Sequence, residues 1–480
     1  MAAPISSIFL AALLLLLCVL PTFELRELTA ESYHHTLQVS SLLPSSVCST
    51  YEGLDKMPSS LKVVHKHGPC SNLHQKESIL GIRRRYEEES ILASAPTHAE
   101  VLLQDQGRVN SIHSRLANSG DTKKMDATTP PAYHGSTIGT GNYIVKVGLG
   151  TPRTDLSLVF DTGSDITWTQ CEPCVSYCYK QKEPIFDPSK STSYLNIPCA
   201  SSICRSLPAN SSGCSSSTCV YAVQYGDSSY TIGFFAKERL TLTSTDVFDT
   251  FLFGCGENNR GLFGGTAGLL GLGRHKFSFP SQTAQKYNKL FSYCLPSSAS
   301  STGYLTFGNS GISSSVKFTP SPKLGETFYG LNIIGISVGG NRLSISSSVF
   351  YNAGTIIDSG TVITRLPATA YSALRTAFRQ GMSTYPRADA LSILDTCYDF
   401  SNYDTIRVPI ISIFFSGGVE VDINISGIFF VADVSQVCLA FAGNSDDSHV
   451  GIFGNVQQKT FQVVYDSVGG RVGFAAGGCH

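Results

Sequence analysis

The sequence predicts an all-β chain, mostly β with a few short helices, folded as two β lobes related by an approximate duplication. Three observations predict it. Stretches rich in Tyr, Phe, Val, Ile and Thr are short and separated by Gly- and Ser-rich turns, and long helical periodicity is rare. A strand pattern occurs twice, as Tyr143-Ile144-Val145-Lys146-Val147 and as Phe328-Tyr329-Gly330-Leu331-Asn332-Ile333-Ile334. In each half a later β-forming run ends in a carboxylate on a tight Gly turn flanked by hydroxyls. These turns are Asp161-Thr162-Gly163-Ser164 and Asp358-Ser359-Gly360-Thr361. An apolar pair before Gly, Leu269-Leu270-Gly271 and Ile452-Phe453-Gly454, follows in each half.

A single Asp-Thr-Gly at a strand end reads as a plain turn. One in each half reads as chemistry. Two carboxylates brought face to face cannot both ionise easily, so one pKa falls and the other rises. The ionised member can take a proton from a water held between them. The protonated member can hydrogen-bond a substrate carbonyl that the water attacks. This is the machinery of an aspartic peptidase, with Asp161 and Asp358 as the catalytic pair. Gly163 and Gly360 would let the turns pack closely, with no side chain in the way. Thr162 and Ser359 can brace the two loops, and Ser164 and Thr361 can bind the outer carboxylate oxygens.

Residues 1–22 are expected to be a signal peptide. The apolar run over 8–20 has the length of a secretory h-region, although a basic n-region is absent. Residues 23–130 are expected to be a propeptide. They hold Arg83-Arg84-Arg85 before Glu87-Glu88-Glu89, a strand within 61–70 and helical patches at 76–93 and 99–118. A cleavable linker runs from Asn118 to Pro131. The strand is expected to join a lobe sheet, and a basic side chain to sit near the dyad and keep both carboxylates ionised. Acid would loosen those pairs by protonating carboxylates and charging histidines. A folding aid or a disordered leader is the competing reading. Residues 131–322 are the expected N-terminal lobe and 323–480 the C-terminal lobe, where 370–378 after Pro367 is the best helix candidate.

An insertion at 171–219 carries Cys171, Cys174, Cys178, Cys199, Cys204, Cys214 and Cys219 in Ser-rich sequence without apolar periodicity. Such a segment cannot hold itself with a core, so disulfides are the physical remedy. Zinc on Cys171, Cys174 and Cys178 is the rival reading, opposed by an oxidising compartment and the lack of a nearby His. Pairings are not readable from spacing. Asn210 and Asn424 head sequons and are candidate glycosylation sites.

The chain resembles pepsin-family aspartic peptidases, and more closely the plant nepenthesin-like branch, near the plant extracellular and chloroplast nucleoid DNA-binding groups. The resemblance covers residues from about 140 to 480. Besides the Asp motifs it rests on Gly451-Ile452-Phe453-Gly454-Asn455 through Val463-Val464-Tyr465-Asp466 to Arg471-Val472-Gly473-Phe474-Ala475. Phe291-Ser292-Tyr293-Cys294-Leu295 and Phe253-Gly254-Cys255-Gly256 look specific to the plant branch. The resemblance implies the bilobal pepsin-like acid protease fold, a monomer, sensitivity to pepstatin and no metal or organic cofactor. It implies a flap at Tyr225-Gly226-Asp227, with the Trp168 indole N–H donating to the Tyr225 hydroxyl. A core tryptophan and a hairpin tyrosine are the plainer alternatives. Ser228 stands where relatives often have a second Gly. It also implies Cys397–Cys438 within the C-terminal lobe and Cys255–Cys479 tying the lobes.

Composition is globular, with 42% hydrophobic and 15% charged residues, and a formal net charge of −1 gives no basic signature for nucleic acid. No stretch after the signal is apolar enough to span a bilayer, and the expected chain carries no membrane anchor. The expectation is a secreted, extracellular (apoplastic) aspartic endopeptidase, made as a zymogen and acting on proteins or peptides at acidic pH. Vacuole and plastid are the alternative locations. The competing functions are a non-catalytic protein-binding relative, like the plant xylanase inhibitors, and a DNA-binding relative supported only by the basic leader.

Overall fold

The computed structural model describes residues 33–43, 45–54, 57–74, 96–118, 143–208, 211–225, 229–261 and 263–479. The expected signal peptide, the patch 76–93, the linker after Asn118, the sequon residue Asn210, and Gly226 to Ser228 of the flap lie outside them.

The β expectation holds, and the strands are arranged as two lobes around a shared platform. Among the described residues the largest sheet has 15 strands. It starts in the first lobe with Ser212–Ser215, Thr218–Gln224, Tyr230–Thr241 and Val247–Arg260, and includes the strand Thr154–Asp161 that ends in the first Asp turn. It then crosses through Tyr143–Leu149 to Thr302–Phe307, Leu290–Cys294, Gln462–Asp466 and Arg471–Ala475. Residues from both halves therefore build one platform. One of its faces is aromatic: Phe291, Tyr293 and Tyr465 are buried, the Phe291 and Tyr465 rings stack 4.6 Å apart, and Tyr329 of the six-stranded sheet packs against both. The second lobe carries separate sheets of six, four and four strands among the described residues.

Leader strands are woven into this frame. Ser60–His65 lies between Thr302–Phe307 and Tyr143–Leu149, antiparallel to both, with Val64 opposite Thr302 on one side and Ile144 on the other. Its alternation suits the place, since Leu61 and Val63 are buried and Lys62 is exposed. His34–Gln38 pairs with Thr405–Pro409 of the second lobe. The leader helix runs His98–Asn118, one residue longer than the sequence pattern marks. Thr97 and Glu100 form a reciprocal capping box at its start, with the Glu100 N–H donating to Thr97 Oγ1 at 3.2 Å and the Thr97 N–H to Glu100 Oε2 at 2.7 Å. The helix after Pro367 spans Ala368–Gly381.

Seven disulfides join the described cysteines in pairs. Cys397–Cys438 is present, on facing residues of two paired strands. Cys255–Cys479 is not. Cys255 bonds Cys171, because the strand Trp168–Gln170 runs parallel to Val247–Arg260 and delivers Cys171 beside it. Cys479 bonds Cys294 instead, the last residue of the platform strand Leu290–Cys294. Cys171, Cys174 and Cys178 are all in disulfides, Cys174 with Cys178, which leaves no thiolates there for zinc. Cys48–Cys70 closes a loop inside the leader.

Candidate active site

Each Asp turn is held from both sides by strands of its own lobe. Thr154–Asp161 pairs in parallel with Gly268–Gly271, which brings Gly271 level with Asp161. Thr355–Ile357 pairs in parallel with Gly451–Phe453, and the Asp358 N–H donates to the Phe453 carbonyl at 3.1 Å. The repeated apolar pairs are these bracing strands. Across the lobes the turns clasp each other. The Thr162 N–H donates to Ser359 Oγ at 3.1 Å and the Ser359 N–H to Thr162 Oγ1 at 2.9 Å. Each Asp is then oriented locally. Asp161 accepts from the Gly163 N–H at 2.9 Å and from the Ser164 hydroxyl. Asp358 accepts from the Gly360 N–H at 3.2 Å and from Thr361 Oγ1 at 2.5 Å. A Cβ on Gly163 would fall 2.7 Å from Asp358 Oδ1, and one on Gly360 would fall 2.6 Å from Asp161 Oδ1. The absent side chains are thus what allow the carboxylates to meet.

Between the carboxylates sits Arg108 of the leader helix. Its Nη2 donates to Asp161 Oδ1 at 2.7 Å and to Asp358 Oδ1 at 2.9 Å, and its Nε donates to Asp358 Oδ2 at 2.9 Å. One nitrogen therefore occupies the space that a water shared by both carboxylates would take. Burial alone would lower the Arg108 pKa, but the two carboxylates outweigh it and hold it above its ordinary value. Burial likewise pushes Asp358 up, yet the Arg108 charge and hydrogen bonds, helped by Thr361 and Gly360, bring its carboxyl below the usual range.

A second contact lies one turn earlier on the same helix. Asp105, fully buried, accepts from the Val362 N–H at 2.6 Å and the Ile363 N–H at 3.1 Å, and pairs with Arg365 Nη2 at 2.9 Å. Burial raises the Asp105 pKa against the pull of these donors. Leu102, Val109 and Ile112 complete the buried face of the helix, against Val362 and Leu394 at one end and Phe328, Ile356 and Ile452 at the other. Asp105 and Arg108 are the residues sequence reading missed by name. Their signal is a pair of opposite charges, three residues apart, on the apolar stripe 102, 109, 112.

On the other side of the dyad, Trp168 is buried, and its Nε1 donates to the Tyr225 hydroxyl at 2.8 Å. Phe263 packs edge-on against both rings. A cavity of ≈ 290 Å³ opens here, lined by Asp161, Asp165, Tyr225 and Phe263 from the body and by Lys66 and Arg115 from the leader. Asn424 caps the short helix Ile425–Ile428, and its Oδ1 accepts from the Ser426 N–H and hydroxyl. Among the described residues no cluster of three His, Cys, Asp or Glu could hold a metal ion, and no helix is long and apolar enough to cross a membrane.

Comparison with known proteins matches residues 143–309 to the family described as xylanase inhibitor N-terminal and 328–476 to xylanase inhibitor C-terminal. The chain is 58% identical over 459 residues to an aspartyl protease family protein of Arabidopsis thaliana, covering 94% of each chain. It is 37% identical over 384 residues to aspartic proteinase nepenthesin-2 of Nepenthes gracilis, covering 78% of this chain and 83% of that one. The crystal structure of edgp shares the fold, with a TM-score of 0.56 at 21% identity over 70% of this chain and 91% of that one. Together with the paired Asp turns, these matches show that the chain belongs to the nepenthesin-like branch of the plant pepsin-type aspartyl proteases.

Proposed function

We propose that this aspartic endopeptidase is made as a zymogen whose leader occupies its own cleft, and that once freed it cuts proteins at acidic pH with a water held by Asp161 and Asp358. The observation that carries the reading is Arg108 bridging both carboxylates. A guanidinium there fills the water's place and pairs with both carboxylates at once, whereas hydrolysis needs a water between them and one of them protonated. With the leader gone, a water bound between the same oxygens gives its proton to the ionised Asp and attacks the scissile carbonyl, which the protonated Asp polarises. Gly163 and Gly360 N–H groups, Ser164 and Thr361 hold the two oxygens of each carboxylate in line. The flap at Tyr225, steadied by Trp168, closes over the peptide.

Acid supports release. His98 and His113 of the leader helix and His35 of the first leader strand have pKa values lowered chiefly by burial. Charging them weakens docking. Cleavage between the helix and Tyr143 completes maturation, and secretion fits the seven disulfides. The test is to acidify purified full-length protein and follow leader loss by mass spectrometry beside casein hydrolysis. Loss of residues up to the linker, together with the appearance of pepstatin-sensitive hydrolysis, is the expected result. Full activity at neutral pH with the leader attached refutes the zymogen. An inert protein after leader removal favours a protein-binding role.

A further inference from the structure

We infer that Arg365, with the amides of Val362 and Ile363, forms a subsite that takes an acidic side chain of a bound peptide. The inference rests on the zymogen reading above, in which the leader helix leaves the cleft. Asp105 is the present occupant, and it shows what the site accepts. Three donors converge on its carboxylate: two backbone N–H groups at 2.6 and 3.1 Å and the Arg365 guanidinium at 2.9 Å. An acceptor with two oxygens and a negative charge satisfies all three.

The receptor belongs to the body of the enzyme, not to the leader. Val362 directly follows Thr361, whose hydroxyl holds Asp358, so the site adjoins the dyad. Arg365 is 1% exposed and is fixed by its Nη1 donating to the Ile363 carbonyl at 2.9 Å. Among the described residues the only carboxylate in ion-pair reach of it is Asp105. Departure of the leader therefore leaves a charged guanidinium and two amides without their acceptor, beside the apolar cluster in which Val362 and Ile363 pack with Leu394 and Ala440. An Asp or Glu side chain restores all three contacts. An Asn or Gln side chain presents an NH₂ group to at least one of these donors and is disfavoured. Asp105 precedes Arg108 by one helical turn, so the acidic side chain sits close to the scissile bond on one side of it.

The experiment uses mature enzyme prepared from the full chain by acid self-cleavage or, if it does not self-process, by trypsin at Lys123 and Lys124. Quenched fluorescent peptides carry one Glu or its isostere Gln at each position flanking the scissile bond, assayed near pH 5, where Glu is ionised. At one position kcat/KM should favour Glu by about 10- to 100-fold. In Arg365→Gln that ratio should collapse to about one, and in Arg365→Lys it should survive in part. A ratio near one at every position in an active wild type overturns the inference, as does a preference that persists in Arg365→Gln. If Arg365→Gln does not fold, loss of the wild-type preference as Glu protonates below pH of about 4 decides in its place. If the wild type cleaves nothing, it is the endopeptidase reading that fails. The subsite is then read by binding of a peptide spanning 97–118. Its Asp105→Asn form should bind at least about tenfold more weakly, and equal binding refutes the subsite.

Discussion

Replacing Arg108 by Met removes the clamp on the dyad and leaves the rest of the leader in place. Arg108 makes three hydrogen bonds, at 2.7, 2.9 and 2.9 Å, to carboxylates whose side chains are 1% and 0% exposed. Removing one partner of a buried ion pair costs about 3–5 kcal/mol. The two carboxylates can recover part of that by sharing a proton and binding water. Leader docking should then weaken by about 2–3 kcal/mol, or about 30- to 150-fold in the ratio of docked to undocked forms. The assay is hydrolysis of a quenched peptide by full-length precursor at pH 6–7, at times before any cleavage of the leader. Arg108→Met should hydrolyse faster than wild type by about that factor, and its activation midpoint should move to higher pH. Arg108→Lys should lie between, because a single ammonium cannot fork across both carboxylates. A folded Arg108→Met precursor that keeps its leader docked and stays as latent as wild type would refute the clamp.

Further outcomes follow from the same geometry. Trp168→Phe removes the 2.8 Å bond to the Tyr225 hydroxyl, and kcat/KM of the mature enzyme should drop about tenfold; unchanged kinetics would separate the flap from this pair. Docked His35, His98 and His113 have lowered pKa values, so each favours the docked leader above the free histidine pKa of about 6.5 and loses that contribution as pH falls through its docked value. Asp358, also lowered, adds its share only at more acidic pH, and Asp105, raised by burial, acts in the opposite sense. Leader release measured by hydrogen exchange should begin below pH of about 6.5, and His113→Gln should move its midpoint lower; release that is flat in pH contradicts the switch. Cys294→Ser with Cys479→Ser opens a link of sequence separation 185, and denaturant unfolding should show a loss of about 3–5 kcal/mol; no loss would mean the platform holds the C-terminal segment without it.

Much of the architecture was legible because it is written locally. Asp161 and Asp358 stand at the ends of apolar runs on tight turns, and the bracing strands Gly268–Gly271 and Gly451–Phe453 repeat the same pattern. The strand and helix of the leader were legible for the same reason, one alternating and the other capped by Thr97 and Glu100. What was not legible depends on long-range neighbours. Cys171 meets Cys255 only because Trp168–Gln170 pairs in parallel with a strand far along the chain, and Cys479 meets Cys294 only on the shared platform. Arg108 could not be singled out from the other basic residues of the leader until the helix face and its place in the cleft were known. Arg365, a charged residue in an otherwise apolar strand context, had no visible partner until Asp105 was brought to it from 260 residues earlier in the chain.

The most direct test of the account is acid proteolysis by leader-free enzyme, wild type beside Asp161→Asn and Asp358→Asn, with and without pepstatin. The account predicts that wild type cuts protein at acidic pH, that pepstatin abolishes this, and that each substitution lowers kcat by about 10³-fold or more while the fold is kept. Folded variants that retain wild-type activity would contradict it, because hydrolysis would then not pass through a water held by this pair.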